Sequence, residues 1–231
     1  MHKGVFVGSN AKNRNERILI LGESHHISKT DDKNSEKFKP ATYDTKCVVR
    51  EHIEDITNTK KSLHFFQKIG NAFGFPMETE AEKTAFWENF YFGNYIDVLC
   101  GIKDGAAGEY LAQKDDNGIT NRQKMNDDLF EFVNDNNIDV IVCFSRKVFD
   151  NLPSLNKKFL KEEDKKRVKD KMTVGRQNDF IGQCVYLPNI SHNNTSAILK
   201  KPLAAYSLRH PSARGGFCPE NYADALSKLL K

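Results

Sequence analysis

Two short stretches near opposite ends of the chain carry the residue types that acid–base chemistry needs. One is Gly22-Glu23-Ser24-His25-His26, which follows the apolar run Ile18-Leu19-Ile20-Leu21. The other is His210-Pro211-Ser212, followed by Ala213-Arg214-Gly215-Gly216-Phe217. An apolar run that ends in glycine, a carboxylate and small polar groups reads as a buried strand delivering chemistry at its carboxyl end, where ligands bind in open α/β sheets. A second loop with a histidine, a rigid proline and a hydroxyl can close over the same spot. A carboxylate there can stabilise developing positive charge and orient water, and a histidine that donates a hydrogen bond can stabilise a departing anion. Asn94 adds an amide inside the aromatic run Phe90-Tyr91-Phe92-Gly93-Asn94-Tyr95-Ile96.

Each of these residues also has a plainer role open to it. Glu23 could cap a helix or pair with Arg14 or Arg17. His25 and His26 are adjacent, so on an extended segment they point opposite ways, one lining a pocket while the other packs. Asn94 is either a reader of a ligand's edge or a satisfied core amide, because an unpaired amide there would be costly. His210 could be an ordinary loop histidine. Arg214 is a candidate wedge or phosphate contact. Phe38, Tyr43 and Phe92 are candidates for a ring that stacks on a flat ligand.

The elements that must position these groups alternate in type, which argues for a βαβ architecture. Arg17 to Leu21 is the first expected strand. Leu63, Phe66, Ile69 and Phe73 recur at helical spacing, with Gly74 as a C-terminal cap. Ala81 to Phe90 reads as another helix, leading into the aromatic strand that contains Asn94. Asp127 and Asp128 mark a helix N-terminus, since acids are favoured there, and Asn136-Asn137 ends that helix. Ile138 to Phe144 is the clearest buried strand, after which Ser145 caps a short helix ending at Pro153. Cys184–Leu187 and Ala204–Leu208 are weaker strand candidates, and Pro219 opens the last helix. Lys103–Gly118 and much of Lys157–Asn178 read as irregular insertions on one domain.

Composition bounds the rest. In 231 residues, 39% are hydrophobic and 29% charged, enough for a real core under a wet surface. No apolar stretch approaches the ~18 residues needed to span a membrane, and the N-terminus has no signal-peptide pattern, so a cytoplasmic protein is expected. The cysteines at 47, 100, 143, 184 and 218 are scattered with no C-x-x-C pair, which argues against structural zinc and a disulfide framework. Net charge is +4, but residues 156–176 hold nine Lys or Arg against four acids. Such a stretch either follows a phosphate backbone by counterion release or is a solvated helix of mixed charge.

Taken in order and spacing, these motifs resemble the uracil-DNA glycosylase superfamily, whose signatures are a Gly-plus-carboxylate-or-amide loop after the first strand and a late His-Pro-Ser loop. The Tyr91–Ile96 run is similar to that superfamily's strand ending in a base-reading asparagine. Ile138 to Leu152 is similar to its strand–loop–helix before the final motif. The resemblance spans most of the chain from Arg17 onward. It implies a single domain over residues 1–231: an α/β three-layer sandwich with a central, mainly parallel sheet. It also implies a monomer that binds DNA, flips a nucleotide into a pocket and hydrolyses its N-glycosidic bond without metal or organic cofactor. Glu23 and His210 would be catalytic; Gly22, Ser24, His25, His26, Asn94, Ser212 and Arg214 would bind substrate.

Well-known members read Gln-Asp-Pro-Tyr where this chain has Glu23-Ser24-His25-His26. The carboxylate therefore shifts to Glu23, as in thermophile-type members with Gly-Glu-Ala-Pro-Gly, although the close cysteine pair that their iron–sulfur cluster needs is missing. The tyrosine that blocks C5 substituents is also absent. Uracil or a C5-modified pyrimidine, such as a phage hydroxymethylcytosine derivative, is then the expected base, in repair or in phage defence. Two alternatives remain open at this level. One is a non-catalytic DNA or nucleotide binding module of the same fold. The other is a metal-dependent hydrolase using His25, His26, His192 and His210, whose spacing matches no metal motif.

Overall fold

The run Ile18-Leu19-Ile20-Leu21 is apolar on both sides of its pleat, and all four residues are at most 1% exposed. A strand of that kind must be covered on both faces, and the chain does this with helices above and below a sheet. The computed structural model describes residues 4–26, 45–55, 63–100, 106–155, 169–173, 180–212 and 216–230. In chain order the strands are β1 (Phe6–Val7), β2 (Ile18–His26), β3 (Tyr91–Cys100), β4 (Val140–Cys143), β5 (Ser154–Leu155), β6 (Lys169–Thr173), β7 (Phe180–Tyr186), β8 (His192–Asn193) and β9 (Leu203–Ser207). The α-helices are α1 (Thr45–Glu54), α2 (His64–Ala72), α3 (Glu80–Trp87), α4 (Ala106–Ala112), α5 (Asn121–Asn136), α6 (Arg146–Asn151) and α7 (Pro219–Leu229).

Seven of these strands form one sheet in the order β1-β3-β2-β4-β9-β7-β6. Its centre, β3-β2-β4-β9, is parallel throughout, while β1, β7 and β6 join by antiparallel pairing at the two edges. The fold is thus mixed α/β around a mostly parallel sheet.

Strand alternation sorts the core into two layers. Leu19, Leu21, Ile141, Cys143, Leu203 and Ala205 face Leu129, Phe130, Phe132 and Val133 of α5 and Val148 of α6. Ile18, Ile20, Val140, Val142 and Phe92 face the other way, onto α1, α2, α3 and α7 through Val49, Phe66, Phe86, Trp87 and Tyr222. The helices between β2 and β3 cover one face; those between β3 and β4, and the one after β4, cover the other. Among the described residues no helix is long and apolar enough to cross a membrane.

Local signals explain most of the elements. The α2 stripe buries Phe66, Ile69 and Ala72, and Gly74 beyond it adopts φ +82°, the left-handed conformation that ends helices. A reciprocal pair, Thr79 with Glu82, caps α3. Asn137 terminates α5 with φ 51°, and Pro219 opens α7.

The structure corrects three expectations. The stretch Gly22–His26 is not a loop but the last part of β2, because β3 runs alongside and pairs with it as far as Cys100. Helix α5 begins at Asn121, capped by Thr120, so Asp127 lies within it. Its carboxylate instead accepts from the backbone amides of Ser196 and Ala197 and from the hydroxyls of Thr195 and Ser196, pinning a distant irregular segment. Finally, the segment taken as irregular after Lys103 contains α4, whose Leu111 is buried against the core. Of the basic stretch 156–176, residues 169–173 form an edge strand, and the rest lies outside the described residues.

A polar knot sits under α1 and α3. The buried His52 accepts at Nδ1 from the Trp87 indole N–H at 3.1 Å, and Lys83, with 0% exposure, donates to the Asp55 carbonyl at 2.7 Å. Burial, reinforced by the Lys83 charge, pushes the His52 imidazole down from 6.5 to about 4. A depressed folded value means that the fold prefers the neutral ring. The contribution to stability is therefore full above pH 6.5 and is lost as pH falls towards about 4. Denaturant unfolding across that window is expected to show a loss of about 3 kcal/mol that His52→Gln does not show; equal slopes for both proteins would contradict it.

Candidate functional site

The chain order of the parallel strands creates a topological switch point between β2 and β4. From β2 the chain leaves over the α1–α3 face, and from β4 it leaves over the α6 face, so the two connections part at the carboxyl ends of adjacent strands. Ligands of open α/β sheets bind at such a switch point. Here it holds a carboxylate. Continuing the pleat of Leu19 and Leu21 puts Glu23 on the α6 side, where the Ser145 hydroxyl donates to Glu23 Oε2 at 3.1 Å. Ser145 follows Phe144 in the short link between β4 and α6; it is 2% exposed and also caps α6 by accepting from the Val148 amide at 3.4 Å. The two arginines considered as partners for Glu23 are engaged elsewhere. Arg17 donates to the Asn136 carbonyl, and Arg14 lies 5.2 Å over the Phe90 ring.

Gly22 and Asn94 face the other side of the sheet. They are direct neighbours in the β2–β3 register, and Asn94 is 9% exposed. A Cβ at residue 22 would stand 2.4 Å from Asn94 Oδ1 and 3.6 Å from the Phe92 ring. Only glycine lets the amide lie across β2 at this point. Ser24 follows, opposite Ile96, and the register then shifts before His25 and His26 pair with Leu99 and Cys100. The side chains of those two histidines lie outside the description.

The late loop comes in from β9, which pairs with β4 on the side away from β2. His210 accepts at Nδ1 from the Ser212 backbone amide at 3.1 Å. With Nδ1 occupied as an acceptor, a neutral ring carries its proton on Nε2. Helix α2 supports the loop twice: the Phe65 ring lies 5.3 Å from the His210 ring at 37°, and Lys68 Nζ donates to the Pro211 carbonyl at 2.9 Å.

The structure therefore places Gly22, Glu23 and Ser24 on β2 at and just beyond the level where β4 ends, Asn94 beside Gly22 on β3, and His210 and Ser212 beyond the end of β9, two strands from β2. Arg214, Phe38 and Tyr43 lie outside the described residues. Phe92 belongs to the core, 1% exposed and packed on Phe66 and Trp87. His192 sits in the opposite layer with ring contacts to Phe130 at 5.7 Å and Tyr186 at 5.4 Å, where burial lowers its tendency to take a proton. Ser145 and Phe65 are the residues that sequence reasoning missed as site members. The capping position of Ser145 was legible, but its pairing with a carboxylate 122 residues away was not. No protein-family model matches the chain, and no curated protein matches it in sequence.

The Gly22–Asn94 contact makes a specific prediction. Gly22→Ala should destabilise the protein by about 1–3 kcal/mol through overpacking. In an Asn94→Ala background the same change should cost much less, because the clashing amide has gone. Additive effects in that double-mutant cycle would show that the amide does not lie across Gly22.

Proposed function

We propose that this protein is a monofunctional DNA glycosylase that flips a damaged or modified base from DNA and hydrolyses its N-glycosidic bond. What carries the reading is the sorting of groups at the strand ends: a held carboxylate, Glu23, on one side of the sheet, and on the other an amide and an imidazole whose Nδ1 is already occupied. An N-glycoside has the same two halves. The sugar develops positive charge as the bond breaks, and the base departs with the bonding electrons. Glu23 stabilises the sugar cation and takes a proton from the water whose oxygen bonds to the anomeric carbon. Asn94 reads the base edge, and His210 donates from Nε2 to a base oxygen as negative charge collects there. The products are an abasic site and the free base.

The resemblance to the uracil-DNA glycosylase superfamily supports the same assignment. Uracil and C5-modified pyrimidines are the bases proposed, the latter including hydroxymethylcytosine derivatives, because no tyrosine stands between Glu23 and His26 to block a C5 substituent. A monomer acting on DNA in the cytoplasm, in repair or against phage DNA, completes the proposal.

Duplexes carrying uracil, hypoxanthine, hydroxymethylcytosine or glucosylated hydroxymethylcytosine test it directly. Abasic sites are expected from at least one of them, with Glu23→Gln and His210→Ala each slowing release by about 10²–10⁴-fold, the range of general acid–base contributions. DNA binding with no abasic product from any duplex would instead identify a binding module.

A further inference from the structure

We infer that Ser145 is a positioning residue for Glu23, holding its carboxylate in one orientation through Oε2 and leaving Oε1 for the water or sugar. The inference rests on Glu23 being the reacting carboxylate. Its geometry, however, stands apart from that role.

One hydroxyl oxygen serves two neighbours here. It accepts the Val148 amide at 3.4 Å and donates to Glu23 Oε2 at 3.1 Å. A hydroxyl has a single proton, so the amide arriving on its lone pair leaves that proton to the carboxylate. The serine itself is 2% exposed and cannot swing away to water. Its backbone is fixed as well. The adjacent Phe144 amide donates to the Leu21 carbonyl at 3.0 Å, and Leu21 pairs in register with Cys143. The donor on β4 and the acceptor on β2 are therefore set by the same sheet register.

Capping alone does not explain the arrangement, since aspartate, asparagine or threonine would also cap α6. What a cap does not require is a proton aimed across the switch point at a carboxylate. A glutamate side chain has several rotatable bonds, and ordering it before the substrate arrives removes that entropy from the barrier. Serine provides that order at the one place where β2 has a carboxylate and β4 has ended.

Three substitutions separate positioning from capping. Ser145→Ala removes both roles, Ser145→Thr keeps both, and Ser145→Asp keeps the cap but turns an acceptor towards Glu23. With whichever uracil or hydroxymethylcytosine duplex the wild-type protein cleaves, Ala and Asp are expected to lower single-turnover base release by about 10- to 100-fold. Their DNA dissociation constants should stay within about twofold, and Thr should restore the rate. Asp as fast as wild type would reduce Ser145 to a cap and overturn the inference. Crystal structures of the wild-type, Ala and Thr proteins give a readout that needs no activity. Glu23 should hold one conformation in wild type and Thr and spread over several in Ala; an unchanged, ordered Glu23 in Ala also overturns the inference. If the wild-type protein releases no base from any duplex, the glycosylase reading fails by itself, and the order of Glu23 still decides the role of Ser145.

Discussion

Unequal strand lengths at the centre of the sheet are the constraint on which the site depends. Up to Leu21, β2 is paired on both sides, with β3 and with β4. At Cys143 β4 ends, whereas β3 continues to Cys100 and carries β2 with it to His26. Beyond Leu21, then, β2 stays in register with β3 but no longer with β4. Buried backbone groups need partners, so where β4 ends the chain must satisfy this side of β2 by other groups. That is the side on which Glu23 meets Ser145. The meeting of Glu23 with Ser145 follows from β4 stopping before its neighbour does.

The same asymmetry explains why the carboxylate and the amide do not compete for one another. Consecutive residues of β2 point to opposite faces, so Gly22 and Glu23 necessarily serve different layers. Asn94 crosses β2 on the α2 side over a residue with no side chain. Glu23 turns to the α6 side and takes its hydrogen bond from the residue that opens that helix. A direct Asn94–Glu23 bond would have tied the amide and the carboxylate to each other. The pleat keeps them on separate faces.

Much of this was legible in the sequence, and what was not has a common cause. Ile18–Leu21 and Ile138–Phe144 announced buried strands because a parallel sheet covered on both faces needs continuous apolar runs. Phe66, Ile69 and Gly74 announced α2 and its end by local rules alone. Gly22, Glu23, Asn94 and His210 stood out because their types and strand-end positions are chemical. The extension of β2 through Ser24 to His26 did not, since nothing local in a polar stretch says that β3 will be there to pair with it. Asp127 looked like the start of a helix because acids favour that place, but Thr120 caps the helix earlier and the irregular segment Thr195–Ala197 recruits the carboxylate. In each miss, a partner far away in sequence overrode a local preference.

The late loop shows how far tertiary contacts refine a legible motif. His210-Pro211-Ser212 reads from sequence as a histidine on a rigid turn, with either ring nitrogen able to carry the proton. Folding decides between them. The Ser212 amide returns to Nδ1, the Phe65 ring sets the plane of the imidazole, and Lys68 ties down the Pro211 carbonyl. A neutral imidazole in this setting is a donor at Nε2. It can stabilise an oxygen that gains negative charge and needs no proton transfer of its own to do so. The loop thus presents its imidazole from a turn tied at the Ser212 amide and at the Pro211 carbonyl, while the carboxylate of Glu23 lies on the other side of the sheet.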